Sequence, residues 1–283
     1  MLHHKFLLTL VVLLMGVVLA ACGPAAASTI APAVNIPQIS IKSTDYAFEA
    51  PAKVEAGLVS ITLTNEGKEP HHVQLARLND DVTQEQFQAA LQESPEAAFP
   101  LVTFAGGAGI IDPGNSQQVT VELTPGQYVL LCFVPSHDGM PHLAKGMMAP
   151  MEVVKGSEQA EMPEIKADAT IKLLDFSFAL PAEVKPGQQV WKVVNEGKQV
   201  HEIAIIKLGE GRTMEDVAAF MKDPHGLPPF ADAGGFQAID PGDVGWLNLN
   251  LQPGNYVALC YVPDPATGHA HMEMGMVMPF TVK

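Results

Sequence analysis

Positive charge is scarce in this sequence of 283 residues, which has 16 lysines and arginines against 31 aspartates and glutamates. The formal net charge is therefore −15 at pH 7. A protein that binds nucleic acid needs a basic patch to neutralise phosphates, so DNA and RNA are excluded as partners. An acidic surface of this kind suits solubility outside the cytoplasm or docking to a basic partner.

Cysteine is also scarce, with three in the whole chain, and the first of them, Cys22, follows a largely apolar N-terminal segment. Lys5 precedes a nearly all-apolar stretch at residues 6–19, and Cys22 comes directly after two alanines. A positive start, a short apolar run and small residues are typical of a secretory signal, and the run is too short to span a membrane comfortably. The ending Leu-Ala-Ala-Cys resembles the bacterial lipobox, in which the cysteine becomes the lipidated first residue of the mature protein.

The lipobox resemblance implies that residues 1–21 are a lipoprotein signal peptide and that Cys22 is lipidated. We therefore expect an extracytoplasmic protein that a lipid on Cys22 anchors to the bacterial cell membrane. The alternative is an ordinary signal peptide, or a membrane anchor, with a chance cysteine.

A long internal repeat organises the rest of the chain. The sequence NEGK at 65–68 returns unchanged at 195–198, and the stretch 128–148 returns in similar form at 256–276. Repeats of this length are duplicated domains. The predicted organisation is a tether at 22–37, domain 1 at 38–154, a linker at 155–168 and domain 2 at 169–283.

The two remaining cysteines, Cys132 and Cys260, occupy equivalent places in the two copies. Exported proteins usually pair their cysteines in disulfides, but a pair within one copy is impossible here. A disulfide between the copies remains as the alternative to two free thiols.

Hydrophobic periodicity predicts mostly β-structure. Residues 59–64, 119–123 and 246–251 alternate with period two, and Asn-Glu-Gly, Asp-Pro-Gly and Pro-Gly turns separate such runs. One helix per copy is predicted, at 83–91 and at 213–221, each with a threonine at its N-cap. The pattern predicts an all-β fold of two sandwich domains in tandem, each with one short helical insertion.

Each copy also carries imidazole, thiolate and thioether groups in the same order along the chain. In the first copy these are His71, Cys132, His142 and Met147, and in the second they are His201, Cys260, His271 and Met276. Two imidazoles, one thiolate and a weak axial thioether are the ligands of a blue-copper electron-transfer site.

The surrounding motifs resemble those of the cupredoxins, the blue-copper family of plastocyanin and azurin. NEGKEPH and NEGKQVH match the family's first-histidine motif, with His72 or Glu202 where asparagine often follows, and HLAKGM and HMEMGM match the end of its ligand loop. The resemblance covers nearly all of 39–154 and 169–283, and it implies cupredoxin-like Greek-key sandwiches with up to two type 1 copper ions per chain.

The loop between cysteine and histidine is longer than in small cupredoxins, so two alternative ligands stay open. His137 competes with His142 in the first copy, and His269 competes with His271 in the second. His142 and His271 are preferred because their spacing to Met147 and Met276 matches the family.

The resemblance predicts an electron-transfer lipoprotein that exchanges electrons with membrane-associated redox proteins. The alternatives are a copper-handling protein that transfers Cu(I) and a metal-free binding module. An enzyme is not expected. Of ten histidines, two lie in the signal and four serve as ligands, which leaves too few for a laccase trinuclear centre. Activity like that of copper nitrite reductases stays open, although no motif supports it. The four other histidines are His72, His137, His225 and His269.

Overall fold

Each repeat folds into two facing β-sheets, as the alternating pattern predicts. The computed structural model describes residues 36–156, 163–223 and 225–283. The predicted signal peptide, Cys22, most of the tether and part of the linker lie outside these residues. No helix within the described part of the chain is long and apolar enough to cross a membrane.

Within residues 36–156 the chain forms nine strands and one α-helix. They are β1 (Gln38–Thr44), β2 (Ala47–Glu49), β3 (Lys53–Glu55), β4 (Gly57–Asn65), β5 (Gln74–Leu78), α1 (Gln84–Glu93), β6 (Val102–Phe104), β7 (Ser116–Leu123), β8 (Gly126–Leu131) and β9 (Met148–Val154). One sheet has the order β7-β4-β1-β2 and the other β3-β9-β8-β5-β6. Each sheet contains one parallel pair, β1 with β4 and β3 with β9, and is otherwise antiparallel.

The second repeat has the same plan with eight strands among its described residues. They are β10 (Ala169–Leu174), β11 (Ser177–Ala179), β12 (Gly187–Asn195), β13 (His201–Leu208), α2 (Met214–Lys222), β14 (Phe230–Ile239), β15 (Val244–Leu251), β16 (Gly254–Leu259) and β17 (Val277–Val282). The sheet orders are β11-β10-β12-β15 and β14-β13-β16-β17. The predicted all-β fold of two tandem Greek-key sandwiches is confirmed.

Strand β15 shows why these segments form half-buried strands. Leu247, Leu249 and Leu251 are buried, whereas Asn248 and Asn250 point toward the other face. Successive side chains of a strand point to opposite faces, so alternating leucine and asparagine fixes which face joins the core. The largest hydrophobic cluster contains buried residues of both repeats.

The two helices begin where the threonines predict. Thr83 accepts a hydrogen bond from the backbone N–H of Gln86, whose side chain accepts one from the N–H of Thr83. Thr213 and Asp216 make the same reciprocal pair at the start of α2. Such capping boxes satisfy two backbone donors that the first turn leaves free.

One sheet of each repeat joins with its counterpart in the other repeat, which the sequence did not predict. Strand β7 of domain 1 pairs antiparallel with β15 of domain 2, so that Thr120 lies opposite Trp246. The result is a continuous eight-stranded sheet. The two domains therefore share backbone hydrogen bonds and form one compact unit.

A second seam joins residues 104–109 of domain 1 to strand β14 of domain 2. Ala105 pairs with Ile239, and Ala108 pairs with Phe236. The buried Gln74 side chain donates to the carbonyl of Ala238 at 3.0 Å, and thus bonds directly across the seam.

Candidate metal centres

The first histidine of each centre follows a turn that the NEGK motif builds. The Asn65 side chain accepts the N–H of Gly67 at 2.9 Å and donates to the carbonyl of Glu69 at 2.9 Å. A Cβ on Gly67 would lie 2.7 Å from Nε2 of His71, so only glycine fits beside the ring. Asn195 makes the equivalent bonds in domain 2. The motif therefore positions the histidine ring.

The other donor groups come from the loop that joins the last two long strands of each domain. Cys132 directly follows β8, and His142 begins a short 3-10 helix, His142–Lys145. The N–H of Leu143 donates to the carbonyl of Cys132 at 2.8 Å, and the N–H of Met147 donates to that of His142 at 3.0 Å. Domain 2 repeats both hydrogen bonds at 2.9 Å. The loop thus folds back on the cysteine.

Three donor atoms converge in domain 1. The Nδ1 atoms of His71 and His142 are 3.0 Å apart, and Sγ of Cys132 lies 3.5 Å from Nδ1 of His142 and 4.0 Å from Nδ1 of His71. The centre of this triangle is about 2 Å from each atom, which is the usual distance from a metal to a nitrogen ligand. One ion therefore fits among the three groups.

Domain 2 has the same arrangement. The Nδ1 atoms of His201 and His271 are 3.0 Å apart, and Sγ of Cys260 lies 3.5 Å from Nδ1 of His271. These donor atoms lie within 4.8 Å of one another, as they do in domain 1.

Burial keeps these groups in an apolar environment, since all three side chains of each triad are 0% exposed. Burial raises the pKa of Cys132 to about 12, and it raises the pKa of Cys260 as well. It lowers the pKa of His201, and together with the nearby His201 it lowers the pKa of His271 to about 4. Neutral imidazoles with a free lone pair are the form that binds metal.

The far side of each first histidine is held by an aspartate. Nε2 of His71 donates to Oδ1 of Asp45 at 3.3 Å, and Nε2 of His201 donates to Oδ1 of Asp175 at 3.1 Å. The same oxygen of Asp45 accepts the backbone N–H groups of Lys68 and Glu69. A proton held on Nε2 leaves Nδ1 free to bind a metal. We call Asp45 and Asp175 the latch aspartates.

The second histidines have different partners in the two domains. Nε2 of His142 lies 2.8 Å from Oε2 of Glu69, whereas Nε2 of His271 lies 2.9 Å from Oε1 of Gln199. Burial raises the pKa of Glu69, but hydrogen bonds with His142 and Tyr46 outweigh it and leave this pKa below its usual value. Glu69 is therefore an anion at neutral pH.

The residue after each first histidine supports the cysteine loop. His72 Nε2 accepts the N–H of Phe133 at 2.7 Å, and Glu202 Oε1 accepts the N–H of Tyr261 at 2.9 Å. Both donors directly follow a cysteine. These buried acceptors fix the backbone at the thiol.

The predicted methionine ligands are buried near the cysteines, whereas the competing histidines are not. Met147 is buried in a small cluster with Cys132, and Met276 is buried in the cluster that holds Cys260. His137 and His269 are exposed and belong to neither triad. Cys132 and Cys260 are free thiols, so no disulfide joins the domains.

Sequence reasoning missed the partners of the histidines. Asp45 and Asp175 were visible only as part of the repeated stretches DYAF and DFSF. Glu69 and Gln199 stood inside the first-histidine motif without an assigned role. Each of these four residues occupies an equivalent position in the two copies, and this was the only sequence signal of a shared role.

No protein-family model matches the chain, and no curated protein matches it. Among solved structures, an auracyanin from the photosynthetic bacterium Roseiflexus castenholzii is 23% identical, with a TM-score of 0.30 over 41% of this chain and 96% of its own. Auracyanin A of Chloroflexus aurantiacus, a blue copper protein, is 20% identical, with a TM-score of 0.28 over 42% of this chain and 100% of its own. A copper nitrite reductase from Nitrosomonas europaea is 16% identical, with a TM-score of 0.26 over 88% of this chain and 94% of its own.

The strand order and the two donor groups agree with the fold and the site residues that the sequence predicts. The chain consists of two tandem cupredoxin-like domains, each with a buried His-Cys-His group. Imidazole and thiolate donors with a neighbouring thioether suit copper.

Proposed function

We propose that the chain is an electron-transfer protein with one type 1 copper site in each domain. The observation that carries the proposal is the convergence of two Nδ1 atoms and one Sγ atom in a buried triangle, which occurs twice. A copper ion held there would supply one-electron chemistry by changing between Cu(II) and Cu(I). The proposed ligands are His71, Cys132, His142 and Met147 in domain 1, and His201, Cys260, His271 and Met276 in domain 2.

The protein's part is to hold these groups still. The latch aspartates fix the first histidine ring, and the backbone bonds within each loop fix the cysteine relative to the second histidine. Donor atoms that do not move let the ion change charge with little rearrangement. The full burial of the triads keeps water away from the donor atoms, which suits an ion that exchanges electrons without a change of ligands.

We further propose that the protein acts at the outer face of a bacterial cell membrane. The support is the leader at residues 1–21 and its lipobox-like end, with Cys22 as the site of lipidation. Its partners would be membrane-associated redox proteins. Labelling of cells with a radioactive fatty acid tests this, because the label should enter the chain and be absent from a Cys22→Ala variant.

Loading with Cu(II) tests the copper proposal. The full chain should turn blue, with an intense thiolate-to-copper band and two copper ions per chain. Cys132→Ser and Cys260→Ser should each remove roughly half of the band, and the double variant should remove all of it. A chain that binds no copper would overturn the proposal and leave a metal-free binding module.

Copper handling is the second candidate, because Met140 and Met274 are exposed large side chains on the two ligand loops. Thioethers at the surface could pass Cu(I) to a partner. A colourless protein that binds Cu(I) tightly, and loses this capacity in Met140→Ala or Met274→Ala variants, would favour this function.

A further inference from the structure

The two centres have matched ligands but differ in where each keeps a carboxylate. On the proposed copper function, we infer that the two sites have unequal reduction potentials, with domain 1 the lower. At equilibrium the first electron would then reside in domain 2, so that domain 1 acts as donor and domain 2 as acceptor within one chain.

In domain 1 the carboxylate touches the ligand ring itself. Glu69 Oε2 accepts the N–H of His142 at 2.8 Å, and this hydrogen bond is charge-assisted. A carboxylate partner makes an imidazole ligand more basic. A basic ligand and a nearby negative charge both stabilise Cu(II) more than Cu(I), which lowers the potential.

In domain 2 the same place holds a neutral amide. Gln199 Oε1 accepts the N–H of His271 at 2.9 Å, while its Nε2 donates to Oδ1 of Asp264 at 3.0 Å. The carboxylate of Asp264 is thus one side chain further from the ring, and it is shared with two donors of Thr267. Coulomb energy falls with distance, so the effect of this charge on the site is smaller.

The rest of the two centres is closely matched. The two histidine Nδ1 atoms are 3.0 Å apart in both, and the cysteine lies 3.5 Å from the second histidine in both. The latch aspartates bind the first histidine in both. Two differences remain: His72 stands against Glu202, and Tyr46 with Lys145 beside it stands against Phe176 and Met274. Glu202 therefore needs its own control, and Lys145→Met in the Cys260→Ser chain measures the contribution of that cation.

Redox titration of variants that each keep one site tests the inference. Cys260→Ser leaves site 1 and Cys132→Ser leaves site 2, and the visible band reports the oxidised fraction of each. We expect site 2 to hold its electron at least about tenfold more strongly than site 1, which corresponds to about 59 mV for one electron. Glu69→Gln should raise the potential of site 1, and Gln199→Glu should lower that of site 2.

Glu66→Gln is the matched control in domain 1. Its carboxylate is half exposed, pairs with Lys42 and lies three positions before Glu69, so the same charge is lost without a bond to His142. It should move the potential much less than Glu69→Gln does. Glu202→Gln in the Cys132→Ser chain measures the contribution of that buried carboxyl.

The outcomes separate this inference from the copper function. Two blue sites with equal potentials, or a Glu69→Gln shift no larger than the control's, would overturn the inference and leave the function standing. Chains that never turn blue would instead remove the function. If Glu69→Gln does not fold, Gln199→Glu tests the same effect in the opposite direction, and an unchanged potential there would also overturn it.

Discussion

The two candidate metal centres have the same donor residues and the same latch aspartate, but the polar residues beside the second histidine differ. Domain 1 has Glu69 against the ring and Ser136 beyond it, whereas domain 2 has Gln199 against the ring and Asp264 beyond it. Each centre therefore has one carboxylate here, at a different distance from the ring of the second histidine. The donor triads are matched, and the polar pair beside the second histidine is one place where the two centres differ.

A second comparison concerns the residue that follows each first histidine. His72 and Glu202 are different residues, yet each accepts one backbone N–H next to the cysteine. The position requires a buried acceptor and tolerates either an imidazole or a carboxyl group. Equivalent structure in the two repeats therefore does not require the same side chain.

The domains also differ where they meet. The outer strand of domain 2, β14, has 10 residues, while β6 at the equivalent place in domain 1 has 3. Domain 1 has Gln74, which bonds across the seam, where domain 2 has Ala204, which packs within its own domain. The two domains therefore differ most clearly in the strands and side chains that form the seam.

Removal of a latch aspartate should produce the largest difference in copper affinity between the two centres. Asp45→Ala takes away the acceptor of His71 and of the NEGK turn, so we expect copper affinity in domain 1 to fall about 10–100-fold. Domain 2 should be unaffected, and Asp175→Ala should give the mirror result. Competition with a chelator, in chains that keep one cysteine, measures both affinities.

Asp81→Ala serves as the control for the latch, because Asp81 is an exposed aspartate in domain 1. An unchanged affinity in Asp45→Ala would show that the aspartate does not hold the ring. Equal losses in both domains would show that the centres are not independent.

Gln74→Ala should weaken the seam between the domains. The side chain is 1% exposed and donates to Gly106 and Ala238, so its loss should lower the free energy of unfolding by about 1–2 kcal/mol. Denaturant unfolding measures this, with Gln127→Ala on the exposed side of β8 as the control. A variant as stable as the parent would mean that backbone pairing alone joins the domains.

The smallest expected effect concerns two carboxyl groups that meet at the seam. Burial and the neighbouring Asp112 raise the pKa of Asp232 to about 7. This pKa lies above the unfolded value of about 3.9. The contribution of the protonated carboxyl to the free energy of unfolding is therefore fully present below about pH 4 and is lost as the pH rises to about 7. Asp232→Asn should therefore be more stable than the parent at pH 8, where the parent carries a buried charge, and should show no such gain at pH 4.

Thermal unfolding across this pH range checks the prediction, with the exposed Asp223→Asn as control. If Asp232→Asn and the parent lose stability in parallel as the pH rises, Asp232 is not the group that titrates.

The sequence by itself determined the repeat, the alternating strands, the two capped helices and the order of the soft donors. These are local patterns, since alternation decides which face of a strand is buried and a threonine with its partner three positions later closes a helix end. The choice between His137 and His142 was open in the sequence, because both are histidines on one loop. Only folding of that loop onto Cys132 brings one of them to the thiol and leaves the other exposed.

The tertiary structure alone decided the partners of the histidines and the joining of the domains. Glu69 and His142 are 73 positions apart, and Gln74 and Ala238 are 164 apart, so no local pattern relates them. Such pairs form when sheets pack and burial forces each polar group to find a partner. The chain's residues therefore specify which donors can bind a metal, and packing specifies which carboxylate or amide supports each donor.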